Sequence, residues 1–280
     1  MVNNFITSGN LNKENLINYT ELKNSIYSSN KRIIIEEILN QSFFLIDEFP
    51  IDKNSEIDET FLSICSLLGS PIKHEKEGDI IMKIKPNPLE SKASTPAYNN
   101  GVKFDLHSEL PYVHLPPDYI ALLCISNEQN IGTNISNIDT ILEKLDGSTI
   151  DLLSDKAYKV LIPPHFGHTD SHSECRPMIS RNANGMYDLH VRFDGILCDT
   201  NEHRVAVEKL KKVADENIKE IITKPGQILV INNRRSLHGR RAITSDARYS
   251  SRELRRIYIS RDVQAYGDKY NDKNMAISGF

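Results

Sequence analysis

The chain has 280 residues, of which 39% are hydrophobic and 26% are charged, and its formal net charge is -4. This length is sufficient for one large domain or two small ones with a substantial core, and the composition is that of a globular protein. The mildly acidic balance excludes the basic surfaces that bind nucleic acid or anionic membranes. We therefore expect neither as a partner.

Targeting signals are not visible in the sequence. The apolar run at residues 120–125 is far shorter than the roughly 20 residues of a membrane-spanning helix. The first ten residues lack a basic segment followed by an apolar one, so we expect a cytoplasmic protein. Because no repeat or linker interrupts the chain, we predict a single domain over residues 1–280, with residues 1–30 as a peripheral helical segment.

The four cysteines, Cys65, Cys124, Cys175 and Cys198, stand alone rather than in C-x-x-C pairs. This spacing argues against a structural zinc site and against a disulfide framework. We expect buried free thiols.

The first half of the chain alternates helical and strand-like patterns. Apolar residues at helical spacing in 34–39 predict a helix, and the compact apolar run in 42–50 predicts a buried strand. Residues 55–72 carry apolar side chains at spacings of three and four and then a glycine and a proline, which predicts an amphipathic helix. We interpret residues 86–101 as a loop.

The second half is rich in strand-like runs. They are "YIALLCI" (119–125), "KVLIPP" (159–164), "LHVRF" (189–193), "GQILVINN" (226–233) and "RRIYISR" (255–261). One helix is predicted over residues 202–222, where Ala206, Leu210, Val213 and Ile221 share a face. Many strands with few helices predict a mainly β protein with flanking helices (α+β), built as a sheet sandwich or jelly roll.

A histidine and a glutamate two residues apart, His107 and Glu109, precede the 119–125 run. In an extended strand both side chains point to one face while Ser108 points away, so the pair can bind one metal ion. The same H-S-E triplet recurs at 172–174 among polar residues, without apolar periodicity. We interpret that second copy as loop surface.

A third ligand must come from a distant part of the chain. His238 is the best candidate because it follows the strand-like run 226–233, and Gly239 would allow close backbone approach. Two imidazoles and one carboxylate on one face suit a non-haem ferrous ion that also binds a cosubstrate and oxygen. Zinc is the rival metal.

Four motifs occur in this order along the chain: "LHSELPYVHLPPDYIALLCI", "NIGTN" with Thr133, "LHGRRA" and "SRELRRIYISR". Together they resemble the clavaminate synthase and taurine dioxygenase superfamily of iron(II), 2-oxoglutarate-dependent oxygenases. The similarity is greatest to the asparagine and arginine hydroxylases of peptide-antibiotic pathways. It is strong over residues 104–134 and 226–262 and only general elsewhere. The resemblance implies a double-stranded β-helix, a jelly-roll, cupin-like core.

The resemblance also implies the site residues. His107, Glu109 and His238 would ligate iron and be the catalytic residues, and their long separation (238 minus 109, or 129 residues) fits the family. Arg252, 14 residues beyond His238, would pair with the C5 carboxylate of 2-oxoglutarate, and Thr133 would bind the same cosubstrate. A guanidinium suits a carboxylate because it makes two parallel charged hydrogen bonds.

Alternation along 252–259 predicts that Arg252, Leu254, Arg256 and Tyr258 share one strand face. By resemblance, Arg256 would hold the α-carboxylate of an amino-acid substrate. We expect Arg255 to be solvated. The resemblance further implies that Asp194, in "VRFDG", reads the substrate side chain, although a turn carboxylate before a glycine is an equally good explanation.

The implied reaction is hydroxylation of Cβ or Cγ of a free amino acid with a polar or basic side chain. Oxygen (O2) and 2-oxoglutarate would be consumed, and succinate and carbon dioxide formed. Retention of Glu109 disfavours halogenation, because related halogenases have a small residue there. The alternatives are desaturation or ring closure at the same centre, a carrier-tethered substrate, or a non-catalytic cupin-like binding protein. The role of loop 163–182 and the oligomeric state stay open.

Overall fold

A computed structural model describes residues 5–6, 15–25, 40–52, 56–86, 101–164, 166, 171–182, 185–243, 252–273 and 275–278. The helix predicted over 34–39 and most of the loop predicted over 86–101 lie outside the described residues. His165 and His168 of loop 163–182 also lie outside them.

The described residues form short strands and few helices. The strands are β1 (Phe5–Ile6), β2 (Leu16–Asn18), β3 (Phe43–Asp47), β4 (Ser70–His74), β5 (Met82–Ile84), β6 (Phe104–His107), β7 (Tyr119–Asn127), β8 (Thr133–Asn137), β9 (Tyr158–Val160), β10 (Ile179–Arg181), β11 (Tyr187–Leu189), β12 (Ile196–Cys198), β13 (Lys219–Ile221), β14 (Ile228–Asn232), β15 (Ser236–Arg240), β16 (Arg252–Ser260), β17 (Tyr270–Asn271) and β18 (Ala276–Ile277). The α-helices are α1 (Tyr19–Ser25), α2 (Ile57–Leu68), α3 (Ile138–Lys144), α4 (Gly147–Ser154) and α5 (Asn201–Glu216), and a 3-10 helix spans Val263–Lys269. None of the described helices is long and apolar enough to cross a membrane.

Two main sheets organise these strands. The larger has the order β17-β18-β4-β16-β7-β14-β3-β2, with β5 pairing β16, and the smaller has the order β1-β13-β8-β15-β6. Most neighbours are antiparallel. Antiparallel sheets of this kind bury alternate side chains on their two faces.

The side-chain alternation of β7 shows how the larger sheet is covered on both faces. Ile120 and Leu122 pack into the cluster between the two sheets, whereas Tyr119, Ala121 and Leu123 pack into a second cluster that includes the apolar face of α2. This period of two follows from the pleat of the strand. The run 119–125 is therefore apolar throughout because both of its faces are buried.

Helices α3, α4 and α5 cover the outer face of the smaller sheet. Leu106 of β6 and Leu237 of β15 share a cluster there with Ile141, Leu153 and Leu210 from the three helices. His107 and His238, the next residue on each strand, consequently face the opposite side, towards the interior between the sheets.

The helix predicted over residues 202–222 is too long. Helix α5 ends at Glu216, and Ile221 belongs to β13, where it pairs with Thr133 of β8. Apolar residues continue at helical spacing beyond Glu216, so the sequence pattern alone does not indicate where the helix ends and the strand begins. Pairing with β8, which is distant in sequence, determines the strand.

Two other predictions differ from the structure. Residues 189–193 are not a continuous strand, because β11 ends at Leu189 and Arg192 makes only an isolated bridge to His107. The segment 1–30 is not simply helical, because Phe5–Ile6 pairs with β13 and Leu16–Asn18 pairs with β3.

All four cysteines are free, as predicted. Cys65 and Cys124 are buried, but Cys175 and Cys198 are partly exposed, so the expectation of burial was wrong for two of them.

Candidate metal and cosubstrate site

His107 and His238 face each other across neighbouring antiparallel strands. They are register partners in the pairing of β6 with β15, and their ring centroids lie 4.3 Å apart. Glu109 follows the end of β6, and its Oε2 lies 3.2 Å from His238 Nε2. One ligand atom from each of the three residues lies within 4.8 Å of the others. The structure therefore brings together the three side chains proposed as metal ligands.

Gly239 allows these strands to lie close together, as predicted. A Cβ atom at this position would lie 2.6 Å from the Phe104 carbonyl oxygen, which is much closer than such atoms can approach. The Phe104 ring in turn packs against His107, with ring centroids 4.1 Å apart.

The imidazole of His107 is held in one tautomer. Its Nδ1 lies 2.8 Å from the Asp105 carbonyl oxygen, and because a carbonyl can only accept, Nδ1 carries the proton. Nε2 is buried and has no hydrogen-bond partner among the described residues. Burial, reinforced by the nearby His238, lowers the pKa of His107 to about 4, so the ring is neutral at pH 7. A neutral imidazole with a buried, unused lone pair fits a metal ligand.

Ser108 points away from the metal ligands, as alternation predicts, and forms hydrogen bonds with the segment 189–191. Its backbone N–H donates to the Val191 carbonyl at 2.7 Å, and its hydroxyl oxygen accepts from the Val191 N–H at 3.0 Å. The hydroxyl also donates to the Leu189 carbonyl at 3.3 Å. The segment after β11 is thereby fixed behind the metal-binding pair.

The carboxylate of Glu109 is kept ionised by its neighbours. Burial would raise its pKa, but the hydrogen bond with His238 and the charge of Arg256 outweigh burial and hold the pKa well below its usual range. The Tyr258 hydroxyl also donates to Oε1 at 2.8 Å. Two imidazole side chains and an ionised carboxylate form the kind of donor set that binds a ferrous ion.

Asn233 fixes the backbone of Glu109, and sequence reasoning missed it. The Glu109 N–H donates to Asn233 Oδ1 at 2.7 Å, and Asn233 Nδ2 donates to the Glu109 carbonyl at 3.1 Å and to the Pro117 carbonyl at 2.8 Å. The only sequence signal was an asparagine after a strand, which reads as a turn residue.

A cavity opens beside His238. It is lined by Ile84, Phe104, Glu109, Ile120, Leu122, Thr133, His238, Gly239, Arg240, Arg252, Leu254 and Arg256. The predicted cosubstrate residues Thr133 and Arg252 are therefore both in its wall, next to two of the predicted metal ligands.

Arg252 is a buried cation that has no acidic partner within the described part of the chain. Its residue exposure is 5%, and its Nε has no hydrogen-bond partner there. Burial, and then the neighbouring Arg240, lower its pKa to about 10, so the guanidinium is still charged at pH 7. A buried charge of this kind is costly unless it is paired, which points to an anionic ligand.

Arg240 is a second buried arginine in the wall, and it was not predicted. Its Nη2 donates to the Val102 carbonyl at 2.8 Å, and burial lowers its pKa to about 10. The signal that could have found it is alternation, because it lies two residues after His238 on β15.

The predicted alternation of β16 is confirmed, because Arg252, Leu254 and Arg256 all line the cavity. Arg255 lies on the opposite face, but the expectation that it is solvated was wrong. Its side chain is only 13% exposed and its Nε lies 3.1 Å from Asp58 Oδ1 on α2. The packing of α2 against the sheet supplies this partner, which the strand pattern alone does not indicate.

Arg256 is paired with an acid that sequence reasoning also missed. Its Nη2 lies 2.5 Å from Glu77 Oε1, and its Nη1 lies 3.8 Å from Glu109 Oε1. The Glu77 side chain is only 5% exposed. Glu77 lies in the turn between β4 and β5, in a charged stretch that resembles ordinary surface.

Asp194 lies outside the residues that line the cavity. Its side chain is 63% exposed, and it accepts from Arg192 Nε at 2.9 Å and from Arg192 Nη2 at 2.6 Å. Burial would raise its pKa, but these hydrogen bonds outweigh burial and lower it. Asp194 is nonetheless near the ligands, because Arg192 forms a backbone bridge with His107.

The second H-S-E triplet does not assemble with the metal ligands. Glu174 is exposed, and His172 makes an isolated backbone bridge to Leu161. Ser173 is buried, and its hydroxyl accepts from the Val160 N–H at 3.0 Å.

Arg176 of loop 163–182 contacts the segment after Glu109. Its Nη1 donates to the carbonyls of Pro111 and Val113 at 3.0 and 2.8 Å. Part of this loop therefore supports the metal-binding segment from outside.

Comparison with known proteins decides the family. The sequence matches the family described as "Taurine catabolism dioxygenase TauD, TfdA family" over residues 7–258. The chain belongs to the TauD/TfdA family. This confirms the predicted resemblance and the class of enzyme, an iron(II)- and 2-oxoglutarate-dependent dioxygenase.

The relatives of this chain include two Streptomyces enzymes. The chain is 22% identical to the enduracididine beta-hydroxylase of Streptomyces hygroscopicus, over 74% of this chain and 68% of that protein. It is 23% identical to the L-asparagine oxygenase of Streptomyces coelicolor, over 70% of this chain and 60% of that protein. The chain thus spans about two thirds or less of the length of these relatives.

A solved structure confirms the predicted fold. An asparagine oxygenase in complex with Fe(II), 2S,3S-3-hydroxyasparagine and succinate superposes with a TM-score of 0.79 at 17% identity. The match covers 93% of this chain and 85% of that one. The mainly β, jelly-roll architecture is the shared feature.

Proposed function

We propose that this TauD/TfdA protein hydroxylates Cβ or Cγ of a free amino acid, consuming O2 and 2-oxoglutarate and releasing succinate and carbon dioxide. The observation that carries the proposal is Arg252, a buried, charged guanidinium without an acidic partner among the described residues, in the cavity that Glu109 and His238 also line. Such a group matches the distal carboxylate of a dicarboxylic acid.

In this proposal His107, Glu109 and His238 hold the ferrous ion, and Arg252 and Thr133 hold 2-oxoglutarate. Bound iron and cosubstrate together supply the oxidising power that breaks an unactivated C–H bond. The protein supplies orientation and exclusion of water. Apolar side chains such as Leu122 and Leu254 in the cavity wall serve that second purpose.

The Arg256–Glu77 pair suits the head group of an amino acid. An α-amino acid carries a carboxylate and an ammonium group one carbon apart, and the pair presents a guanidinium beside a carboxylate, 2.5 Å apart. Arg256 would bind the α-carboxylate, and Glu77 would accept from the ammonium group. Both side chains are at most 6% exposed, which strengthens such contacts.

Asp194 is proposed to read the end of the substrate side chain. It lies on the Arg192 side of His107, whereas Thr133 lies on the His238 side, beyond β15. A substrate between Arg256 and Asp194 would therefore pass the metal ligands without overlapping the cosubstrate. Two relatives of this chain act on enduracididine and on asparagine, which are polar amino acids, and this supports the proposed class.

We propose that the reaction takes place in the cytoplasm and that the binding partner is the free amino-acid substrate. The four free thiols fit a reducing compartment.

The test is anaerobic addition of Fe(II) and then 2-oxoglutarate to the metal-free protein. A weak visible charge-transfer band should appear only when both are present, and its absence would contradict the chelate. Succinate release is then measured in air with each amino acid in turn. A product heavier by one oxygen atom supports hydroxylation, whereas loss of two hydrogens indicates desaturation or ring closure. If the charge-transfer band forms but no free amino acid stimulates succinate release, the proposed substrate class is contradicted. Carrier-tethered amino acids would then be tested.

A further inference from the structure

Asp194 is not an isolated negative charge, because its carboxylate forms a bidentate ion pair with the Arg192 guanidinium. The two contacts are 2.9 Å to Oδ1 and 2.6 Å to Oδ2. Of the described residues, Asp194 is the one that forms an ion pair with Arg192. The pair is therefore close to neutral as a whole.

The position of this pair relative to the metal ligands follows from strand register. His107 pairs with His238 on one side and forms an antiparallel bridge with Arg192 on the other. Side chains of directly opposed residues project to the same face of a sheet, about 5 Å apart. Arg192 therefore projects into the same space as the His107 ring, on the side away from Thr133.

A cationic substrate side chain would gain little from this pair. Such a side chain could reach the remaining lone pairs of Asp194, but it would then lie beside the Arg192 guanidinium, whose side chain is only 20% exposed. The two positive charges would then share a single carboxylate and repel each other.

A neutral group with one acceptor and one donor meets no such repulsion. Arg192 uses Nε and Nη2 on Asp194, and no described residue accepts a hydrogen bond from its Nη1. Asp194 is 63% exposed, and each carboxylate oxygen has a further lone pair. The pair thus presents a donor next to acceptors.

We infer that Arg192 and Asp194 together select an amino acid whose side chain ends in a neutral carboxamide or ureido group, and that Arg192 acts as the determinant against basic side chains. The carbonyl oxygen of such a group accepts from Arg192, and its NH2 group donates to Asp194. This inference rests on the proposed amino-acid hydroxylation and narrows its substrate class.

The experiment compares neutral and basic substrates in the iron-loaded enzyme. Succinate release and product formation are measured with L-asparagine, L-glutamine and L-citrulline and with L-arginine, L-lysine and L-ornithine. We expect at least one neutral substrate to exceed every basic one by about tenfold or more in kcat/KM, because only the neutral group can use both the donor of Arg192 and the acceptors of Asp194.

Two variants separate charge from hydrogen bonding. Arg192→Met removes the cation and should release Asp194, so the basic substrates improve while the neutral ones lose about tenfold or more. Arg192→Lys keeps the positive charge but loses the planar guanidinium with its several donors. We therefore expect kcat/KM to fall for the neutral substrates and to stay low for the basic ones. Arg181→Met, which removes an arginine on β10, serves as the matched control and should leave the ranking unchanged.

Each variant is first checked for the charge-transfer band with Fe(II) and 2-oxoglutarate, which reports an intact cavity independently of substrate. A wild-type preference for basic amino acids, or an unchanged ranking in Arg192→Met, would overturn the inference while leaving amino-acid hydroxylation intact. Absence of stimulated succinate with every amino acid in the wild type would instead overturn the proposed function, and this inference with it.

Discussion

The side-chain amide of Asn233 accepts one hydrogen bond from the backbone of Glu109 and donates another to it. Oδ1 accepts from the Glu109 N–H at 2.7 Å, and Nδ2 donates to the Glu109 carbonyl at 3.1 Å. Glu109 lies beyond the end of β6, so no strand ladder holds it in place. A buried amide therefore does for this residue what a neighbouring strand does for His107 and His238.

Asn233→Ala is expected to weaken Fe(II) binding by about tenfold or more, as for other supports of metal ligands. Anaerobic titration with Fe(II) or Co(II) measures the affinity, and the melting temperature of the metal-free protein measures stability. Asn127→Ala is the matched control, because Asn127 is also buried and makes three backbone hydrogen bonds away from the metal ligands. Equal metal affinities in the two variants would remove Asn233 from its positioning role.

His107→Ala should abolish iron binding and succinate formation, because it removes the ligand whose lone pair is buried in the site. His172→Ala changes the same H-S-E motif at its second occurrence and should retain both. Bound iron is measured with a colour-forming chelator after removal of free metal. Retention of iron in the first variant and loss in the second would show that the wrong triplet was chosen.

Arg252→Ala is expected to weaken 2-oxoglutarate binding by roughly 30-fold or more, since truncating one partner of a buried charge pair costs about 2–5 kcal/mol. The dependence of the charge-transfer band on 2-oxoglutarate concentration gives the affinity. Arg255→Ala, on the opposite face of the same strand, should lower stability through loss of Asp58 but leave this affinity unchanged. An unaltered affinity in Arg252→Ala would contradict the assignment.

Arg256→Lys keeps the charge beside Glu77 but loses the two-pronged geometry. We expect KM for the amino acid to rise by about tenfold, because a bidentate contact is replaced by a single one. The 2-oxoglutarate chelate should be spared, as the band at saturating cosubstrate will show. If substrate dependence is unchanged, Arg256 does not hold the head group.

Gly239→Ala should destabilise the protein by about 1–3 kcal/mol, as overpacking does in close-packed interiors. The added methyl group would meet the Phe104 carbonyl oxygen at 2.6 Å and force β15 away from β6. Iron affinity should fall together with the melting temperature, because those strands carry both histidine ligands. Gly147→Ala is the control, since nothing lies within 4 Å of its added atom.

The sequence by itself determined the residue types of the metal site and the cavity-facing side of β16. His107 and Glu109 stand two residues apart, and Arg252 and Arg256 stand four apart on a strand, so a period of two was sufficient to group them. The apolar runs that became β3, β7 and β14 were equally readable, because both faces of each strand are buried and the apolar residues are therefore consecutive.

The tertiary structure alone decided which partners those residues meet. Glu77 lies 179 residues from Arg256, and Asn233 lies 124 residues from Glu109. Local patterns record the spacing of neighbours along the chain, but an ion pair or an amide clamp depends on which strands are adjacent in the sheets. The Arg192–Asp194 pair is the converse case: the two residues are close in sequence, and only the bridge from Arg192 to His107 places them beside the metal ligands.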